Sequence, residues 1–195
     1  ATQMLDSMIR NPRPTRAEAS DIANAIYDGT SAIMLSGETA AGKYPLQSLD
    51  TMIKVTETTE YSIDYWKKFS TASYDFVNSV TNAISHATCT TALDLKATAI
   101  ITVTQSGHTA RMISRFRPPC PIIATTSSPK VQRQLSLSWG VVPHLVPLAS
   151  TSEEMFDMAV DKARETCLVS NGDIVTITGG VPIGISGTTN ILKVH

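Results

Sequence analysis

Three glycine-containing segments of the sequence have residue types that could bind phosphate, and the first departs from its motif at a decisive position. Residues 37–44 (GETAAGKY) fit the spacing G-x-x-x-x-G-K of a nucleotide-binding phosphate loop. That motif requires Ser or Thr directly after the lysine, because the hydroxyl holds the magnesium ion that bridges the phosphates. This chain has Tyr44 there, followed by Pro45 where the next helix should already have begun. We therefore interpret residues 37–44 as a turn between a strand and a helix.

The second segment, residues 104–109 (TQSGHT), combines three hydroxyl side chains with a glycine between a predicted strand and a predicted helix. At the carboxyl end of a parallel strand, the free amides and the dipole of the following helix favour a bound anion. The alternative is that Ser106 or Thr109 only caps that helix.

The third segment, residues 179–190 (GGVPIGISGTTN), contains four glycines and no charged side chain. It follows a predicted strand, so its start lies at the sheet edge where open α/β sheets bind ligands. Glycines allow the backbone to approach a phosphate closely. The alternative is a mobile connection between the last two strands.

Other kinds of site are not supported by the residue spacing. The cysteines, Cys89, Cys120 and Cys167, form no CxxC pair, so we expect small buried apolar side chains rather than a zinc site or a disulfide framework. There is no His-x-x-x-His and no clustered carboxylate pair, so no metal site is predicted. Ser36 and the histidines lie in unrelated segments, which gives no hydrolytic triad.

Composition excludes two classes of partner. The 195 residues are 42% hydrophobic and 17% charged, as in ordinary globular proteins. Sixteen basic residues against seventeen acidic ones argue against a general nucleic-acid binder, which needs a surplus of positive charge. The apolar runs are far shorter than the roughly 20 residues of a membrane span. With no targeting segment at the start, we expect a cytoplasmic protein without membrane or nucleic-acid partners.

The first sixty residues are predicted to form helix, strand and helix, over residues 17–27, 32–35 and 45–61. This is part of an α/β repeat, too small to close a sheet by itself. Residues 61–76 are rich in aromatic side chains separated by Lys, Ser and Thr, which indicates a linker or an interdomain surface.

From residue 77 onwards helices and strands alternate. We predict helices over 77–93, 110–116, 130–137 and 150–167, and strands over 99–103, 121–124, 141–146, 173–178 and 191–194. Ser150 and Glu153 fit a capping box for the last of these helices. Alternation implies parallel strands with right-handed crossovers, but no helix separates the final two strands, so that pair should be antiparallel. The prediction is an α/β fold, a three-layer α/β/α sandwich around a mostly parallel five-stranded sheet.

Several longer motifs resemble one known family. They are residues 1–8 (ATQMLDSM), 11–18 (NPRPTRAE), 34–40 (MLSGETA), 104–107 (TQSG) and 178–182 (TGGVP). In this order they resemble pyruvate kinases, and the tail 188–190 resembles bacterial members. The resemblance implies that residues 1–60 are the end of the family's (β/α)8 barrel, 61–76 a linker, and 77–195 the C-terminal regulatory domain. Because the chain begins at Ala1 without Met, we expect a fragment.

The resemblance also implies an activity. The family transfers phosphoryl from phosphoenolpyruvate to ADP in glycolysis, uses Mg²⁺ and K⁺, and forms homotetramers. By similarity Thr2 contacts phosphoenolpyruvate, and the other catalytic groups lie upstream of this sequence. We therefore expect the fragment alone to bind no metal and to be inactive. The alternative is a stand-alone regulatory module that binds a phosphorylated ligand and never carried a catalytic half.

The resemblance places an allosteric effector between the two phosphate-binding loops. The residues it assigns are Thr104, Gln105, Ser106, Gly107, His108 and Thr109 in the first loop, and Gly180, Pro182, Gly184, Ser186 and Gly187 in the second. Gln105 and His108 replace the usual Lys and Arg, and Glu153 aligns where members that respond to fructose 1,6-bisphosphate carry an arginine. A sugar monophosphate or a nucleotide monophosphate is therefore the predicted effector.

Overall fold

A computed structural model describes residues 1–72, 79–182 and 189–195, and these divide into two units, Ala1–Asp64 and Tyr65–His195. In the first unit a 3₁₀ helix, Asp6–Ile9, precedes helix α1, Arg16–Tyr27. The hydroxyl of Thr15 accepts a hydrogen bond from the amide of Glu18, whose carboxylate accepts one from the amide of Thr15, so α1 begins with a capping box. The predicted first helix is confirmed.

The phosphate-loop-like segment 37–44 forms a short helix and a turn. Helix α2 is Gly37–Ala40, and helix α3, Pro45–Ser62, begins with its proline in the first turn. The amide of Lys43 donates to the carbonyl of Ile9 at 2.9 Å, so it is not directed at a ligand. The segment is therefore a turn into a helix and not a nucleotide cradle.

The strand predicted over residues 32–35 is not formed. These residues lie between helices, and residues 1–64, all of which are described, contain no strand. A strand requires a neighbour that completes its backbone hydrogen bonds, and this unit supplies none. Ile33 and Leu35 pack instead against an apolar cluster. Its buried members are Leu5, Met8, Ile22 and Met52.

The second unit is an α/β sandwich. Its helices are α4 (Tyr65–Thr71), α5 (Val80–Asp94), α6 (His108–Arg115), α7 (Pro129–Leu135) and α8 (Ser152–Glu165). Its strands are β1 (Ala99–Val103), β2 (Ile122–Thr126), β3 (Val141–Leu145), β4 (Val175–Gly179) and β5 (Ile191–Val194). The sheet order is β3-β2-β1-β4-β5, with all neighbours parallel except β4 and β5, which are antiparallel. The predicted five-stranded sheet and its antiparallel last strand are confirmed.

Alternating side chains of the strands build a core on each face of this sheet. Ile100 and Ile122 point to one face and pack with residues of α5, α6 and α7. Ile101 and Ile123 point to the other face and pack against α8. Helices on both faces make the three layers, because parallel strands must be covered on both sides.

Most of the observed elements lie within two residues of the predicted bounds, and three further details differ from the sequence-based prediction. The aromatic segment 61–76 contains α4, whose Phe69 is buried in the core shared with α5 and α6. The predicted helix over 77–93 begins at Val80, with residues 77 and 78 outside the described part. The capping box predicted from Ser150 and Glu153 is not formed.

Thr151, not Ser150, is the N-cap of α8, and its hydroxyl accepts from the amide of Glu154 at 3.2 Å. The carboxylate of Glu154 accepts from the amide of Ser150 at 2.7 Å. The sequence has two pairs with the spacing of a capping box, Ser150 with Glu153 and Thr151 with Glu154. The sequence alone could therefore not determine which hydroxyl caps α8.

Candidate functional site

The two phosphate-loop candidates of the second unit start at the ends of neighbouring strands. Strands β1 and β4 are parallel, with Thr102 opposite Thr178, so their carboxyl ends lie side by side. The chain runs outward from β1 to β2 and β3, then returns to place β4 on the other side of β1. Ligands of open α/β sheets bind where the strand order reverses in this way.

Helix α6 begins directly after the first loop without a side-chain cap. Its N-cap is Gly107, in the left-handed conformation with φ 79°, which has no side chain to cap the helix, and no side chain among the described residues accepts from its first amides. The alternative in which Ser106 or Thr109 caps α6 is therefore wrong. Helix α6 shares the lack of a side-chain cap with α3 and α5, whereas α1, α7 and α8 each have a capping hydroxyl. The first amides of α6 have no acceptor within the helix.

Gly107 is required by both conformation and space. Its positive φ is unfavourable for residues with a side chain. A Cβ there would lie 3.2 Å from Val131 Cγ1, 3.2 Å from Leu135 Cδ2 and 2.8 Å from Arg111 Nη1. The loop backbone thus lies close to α7, and a side chain at position 107 would be strained.

The base of the second loop is held by Asn190. Its side-chain oxygen accepts from the amide of Val181 at 2.9 Å, and its side-chain nitrogen donates to the carbonyl of Val181 at 2.7 Å. The amide of Asn190 also donates to the carbonyl of Gly179 at 3.1 Å. These bonds hold the two ends of the loop together beside the end of β4.

A side-chain hydrogen bond between described residues connects the two loops. Thr109 Oγ1 and Thr189 Oγ1 are 2.7 Å apart, and both residues are buried. The two threonines are 80 positions apart in the sequence. The structure therefore joins the beginning of α6 to the end of the second loop.

The remaining predicted effector residues have different environments. Thr104 is buried, and its amide donates to the carbonyl of Thr125 at 3.0 Å. Gln105 and Ser106 are exposed, and His108 is half-buried. The other members are Gly180 and Pro182 at the base of the second loop, and Gly184, Ser186 and Gly187, which lie outside the described residues.

The first turn of α8 approaches the same edge of the sheet. A Cβ on Gly179 would lie 3.6 Å from Met155 Cε, so this turn is next to the start of the second loop. Glu153, two residues earlier, is exposed. A carboxylate is therefore present on the element that adjoins the loop.

Thr2, the predicted catalytic contact, lies in the first unit in a strained backbone conformation. It is exposed, with φ 64°, and Gln3 follows with φ 52°. A β-branched residue at positive φ is an outlier, and such strain is concentrated at functional sites.

Two carboxylates hold the backbone that follows Thr2. Buried Glu38 accepts from the amides of Leu5 at 2.9 Å and Ser36 at 2.8 Å, and Glu18 accepts from the amide of Ser7 at 2.7 Å. Burial raises the pKa of Glu38 and the charge of Glu18 adds to this, but the backbone hydrogen bonds outweigh both, so its pKa lies below the ordinary 4.5. The pKa of Glu18 is likewise raised by burial but lowered overall by bonds from Ser7 and Thr15.

Within residues 1–72, 79–182 and 189–195, no group of three or more His, Cys, Asp or Glu side chains could hold a metal ion. Over the same residues, no helix is both long and apolar enough to cross a bilayer.

Comparison with known proteins assigns both units to one family. The family model "Pyruvate kinase, alpha/beta domain" matches residues 82–195, and "Pyruvate kinase, barrel domain" matches residues 1–49. Among curated relatives, the pyruvate kinase of Sporosarcina psychrophila is 54% identical over all 195 residues, which is 33% of its own length. Those of Clostridium acetobutylicum and Geobacillus stearothermophilus are 53% and 51% identical over the whole chain, which covers 41% and 33% of their lengths. The chain thus spans between a third and two fifths of these relatives.

Proposed function

The chain belongs to the pyruvate kinase family, and we propose that its second unit binds a phosphorylated effector between the loop after β1 and the loop after β4. The observation that carries this proposal is the hydrogen bond between Thr109 and Thr189. It connects the uncapped start of α6 to the glycine-rich loop. A ligand held by one loop therefore acts directly on the other.

The donors available at this site suit a phosphate group. The amides of His108, Thr109 and Ala110 are the first of α6 and have no partner within the helix. The hydroxyl of Ser106 is exposed beside them. Amides at a helix N-terminus, together with the helix dipole, favour a phosphate without any charged side chain in the loop.

The charge distribution favours a monophosphate over a bisphosphate. Neither loop contains Lys or Arg, and Gln105 and His108 stand where cations are usual in the family. Glu153 lies on the turn next to the second loop and would repel a second phosphate. We propose that the effector is a sugar monophosphate or a nucleotide monophosphate.

Calorimetry with AMP, ribose 5-phosphate and fructose 1,6-bisphosphate tests this proposal. Both monophosphates should bind more tightly than the bisphosphate, and Glu153→Arg should improve binding of the bisphosphate. Ser106→Ala should weaken the monophosphates by about two- to tenfold, because one neutral hydrogen bond contributes about 0.5–1.5 kcal/mol. The matched control is Ser136→Ala, an exposed serine just after α7, which should change nothing. Tightest binding by the bisphosphate, or equal effects of the two serine variants, would contradict the proposal.

We propose that the protein to which this chain belongs transfers phosphoryl from phosphoenolpyruvate to ADP in the cytoplasm, and that Thr2 contacts phosphoenolpyruvate. The match of residues 1–49 to the barrel domain supports this over a stand-alone regulatory module. Mg²⁺ and K⁺ would serve the parent enzyme, but the described residues provide no cluster that fits them. Phosphoryl transfer depends on charge neutralisation by such cations. A coupled lactate dehydrogenase assay on the purified chain should therefore show only background, and turnover would contradict the expected inactivity of this chain.

We also propose that the chain self-associates, as the family's tetramers imply. Three apolar residues of α3 are exposed, with relative accessible surfaces of 72% for Leu46, 46% for Leu49 and 44% for Ile53. Large exposed apolar patches usually associate. Light scattering should show dimers or larger species at micromolar concentration, and a monomer would contradict the proposal.

A further inference from the structure

The side chain of Arg111 extends back along α6 toward the first loop. It is the fourth residue of α6, yet its Nη2 donates to the carbonyl of Ser106 at 3.1 Å. Its Nη1 lies 2.8 Å from the position that a Cβ on Gly107 would take. The guanidinium group is thus in contact with the loop backbone immediately before the helix.

This guanidinium is the nearest permanent charge to the loop along the chain. Residues 104–109 and 179–190 contain no Lys, Arg, Asp or Glu. In the part of the chain that the structure describes, the ion pairs are Lys162–Glu165 and Arg164–Asp161, and neither includes Arg111. Guanidinium has five N–H donors, and the hydrogen bond to Ser106 uses one.

The position of Arg111 is electrostatically unfavourable for the free protein. A cation near a helix N-terminus opposes the helix dipole, whose positive end is there. The exposed side chain could extend into water, but it folds toward the positive end of the helix. A phosphate at the loop would attract both the guanidinium and the positive end of the helix, and would offset this repulsion.

We propose that Arg111 is a phosphate-binding residue of the effector site, and that it supplies the positive charge that Gln105 and His108 do not. This inference rests on the effector site proposed above. A single guanidinium held beside one helix N-terminus matches one phosphate group, by a charge-assisted and potentially bidentate contact.

The test compares Arg111→Gln with Arg111→Lys and with Arg115→Gln. Arg115 is exposed on the same helix, one turn further from the loop, so its substitution removes the same net charge. Binding of AMP and of inorganic phosphate is measured by calorimetry at several salt concentrations, and thermal midpoints of the free variants are recorded.

Arg111→Gln should weaken both ligands ten- to a hundredfold, as expected for a lost charge-assisted hydrogen bond. It should also reduce the dependence of affinity on salt, while the midpoint of the free protein stays the same or rises slightly. Arg111→Lys should retain part of the affinity, and Arg115→Gln should bind as the unaltered chain does.

Each contrary result has its own meaning. If the unaltered chain binds AMP or phosphate and Arg111→Gln binds equally well, the role of Arg111 is overturned and the effector site stands. Equal weakening by Arg111→Gln and Arg115→Gln would also overturn it, because net charge alone would then explain the effect. If the unaltered chain binds neither ligand, the effector site itself is overturned, and the role of Arg111 with it.

Discussion

The two units of this chain are held together by different interactions. In the first unit, residues 1–64, backbone amides with no strand partner are bound by the carboxylates of Glu18 and Glu38. In the second unit the backbone is satisfied by a five-stranded ladder, and apolar side chains fill both faces of the sheet. A unit without a sheet therefore depends on charged side chains to complete hydrogen bonds that a sheet provides by itself.

The sequence supplies a way to observe the units separately. Both tryptophans, Trp66 and Trp139, belong to the second unit. Tryptophan fluorescence therefore reports unfolding of the second unit, and hydrogen exchange of amides in residues 1–64 reports the first.

The largest expected effect is from truncating the core of the sheet. Ile177→Ala should lower the free energy of unfolding by about 2–5 kcal/mol, because Ile177 is fully buried and its replacement leaves a cavity. The change should appear as an earlier fluorescence transition in denaturant. Met52→Ala removes a similar volume from the first unit and should leave that transition unchanged. A fluorescence shift with Met52→Ala would show that the two units unfold together.

High pH should destabilise the second unit alone. Burial raises the pKa of Cys120 from the ordinary 9.0 to about 11, and burial together with the charge of Cys120 raises the pKa of Cys89. A raised thiol pKa stabilises the fold fully below pH 9, and this stability is lost as the pH rises through the folded-state pKa. For Cys120 the loss amounts to about 3 kcal/mol between pH 9 and pH 11.

Fluorescence-detected unfolding across this range measures the loss. Cys120→Ala should flatten the dependence on pH. Cys167 is exposed, contrary to the sequence-based prediction of a buried side chain, so Cys167→Ala should leave the dependence unchanged. The first unit has no cysteine, so the hydrogen exchange of its amides should show no corresponding change in stability. An identical alkaline loss in all three proteins would contradict this account.

A smaller effect is expected from Glu38→Gln, confined to the first unit. The amide side chain retains one acceptor but presents N–H to the second backbone donor, so about 1–3 kcal/mol should be lost. Exchange of the amides of Leu5 and Ser36 should accelerate, while the fluorescence transition stays in place. Glu57→Gln on the exposed side of α3 is the control and should have no effect.

The carboxylate of Glu38 also predicts how the stability of the first unit changes as the pH falls. Because the folded-state pKa of Glu38 lies below 4.5, its stabilisation is present above pH 4.5 and is lost as the pH falls through the folded-state value. Glu38→Gln should reduce this acid sensitivity. If the variant loses stability in acid as the unaltered chain does, the acid sensitivity is caused by other groups.

The smallest effect is expected from a pair of threonines on one strand. Thr176 Oγ1 is buried with no hydrogen-bond partner among the described residues, whereas Thr178 Oγ1 donates to the carbonyl of Ile191 at 2.8 Å. Thr176→Val should change stability by less than about 1 kcal/mol, in the stabilising direction, because an unsatisfied hydroxyl is removed. Thr178→Val should cost about 1 kcal/mol. Denaturant unfolding by fluorescence measures both, and equal losses would mean that the hydroxyl of Thr176 also contributes.

Much of the second unit could be predicted because its signals are local. The apolar runs, the intervening helical patterns and the absence of a helix before β5 predict the strands and the antiparallel pair, and β1 and β5 have the bounds that the sequence predicted. The first unit was less predictable, because residues 32–35 have the composition of a strand but no neighbour to pair with.

The sequence by itself determined the family, the order of the elements from α5 onwards and the two loops, since these depend on residue type and short-range spacing. Only the tertiary structure decided which groups meet: Thr109 with Thr189, and the guanidinium of Arg111 with the carbonyl of Ser106. No local preference encodes these contacts, because they depend on where parallel strands end and on how a long side chain folds back. The physical reason is that secondary structure follows from neighbours in sequence, whereas a binding site is made by residues that packing brings together.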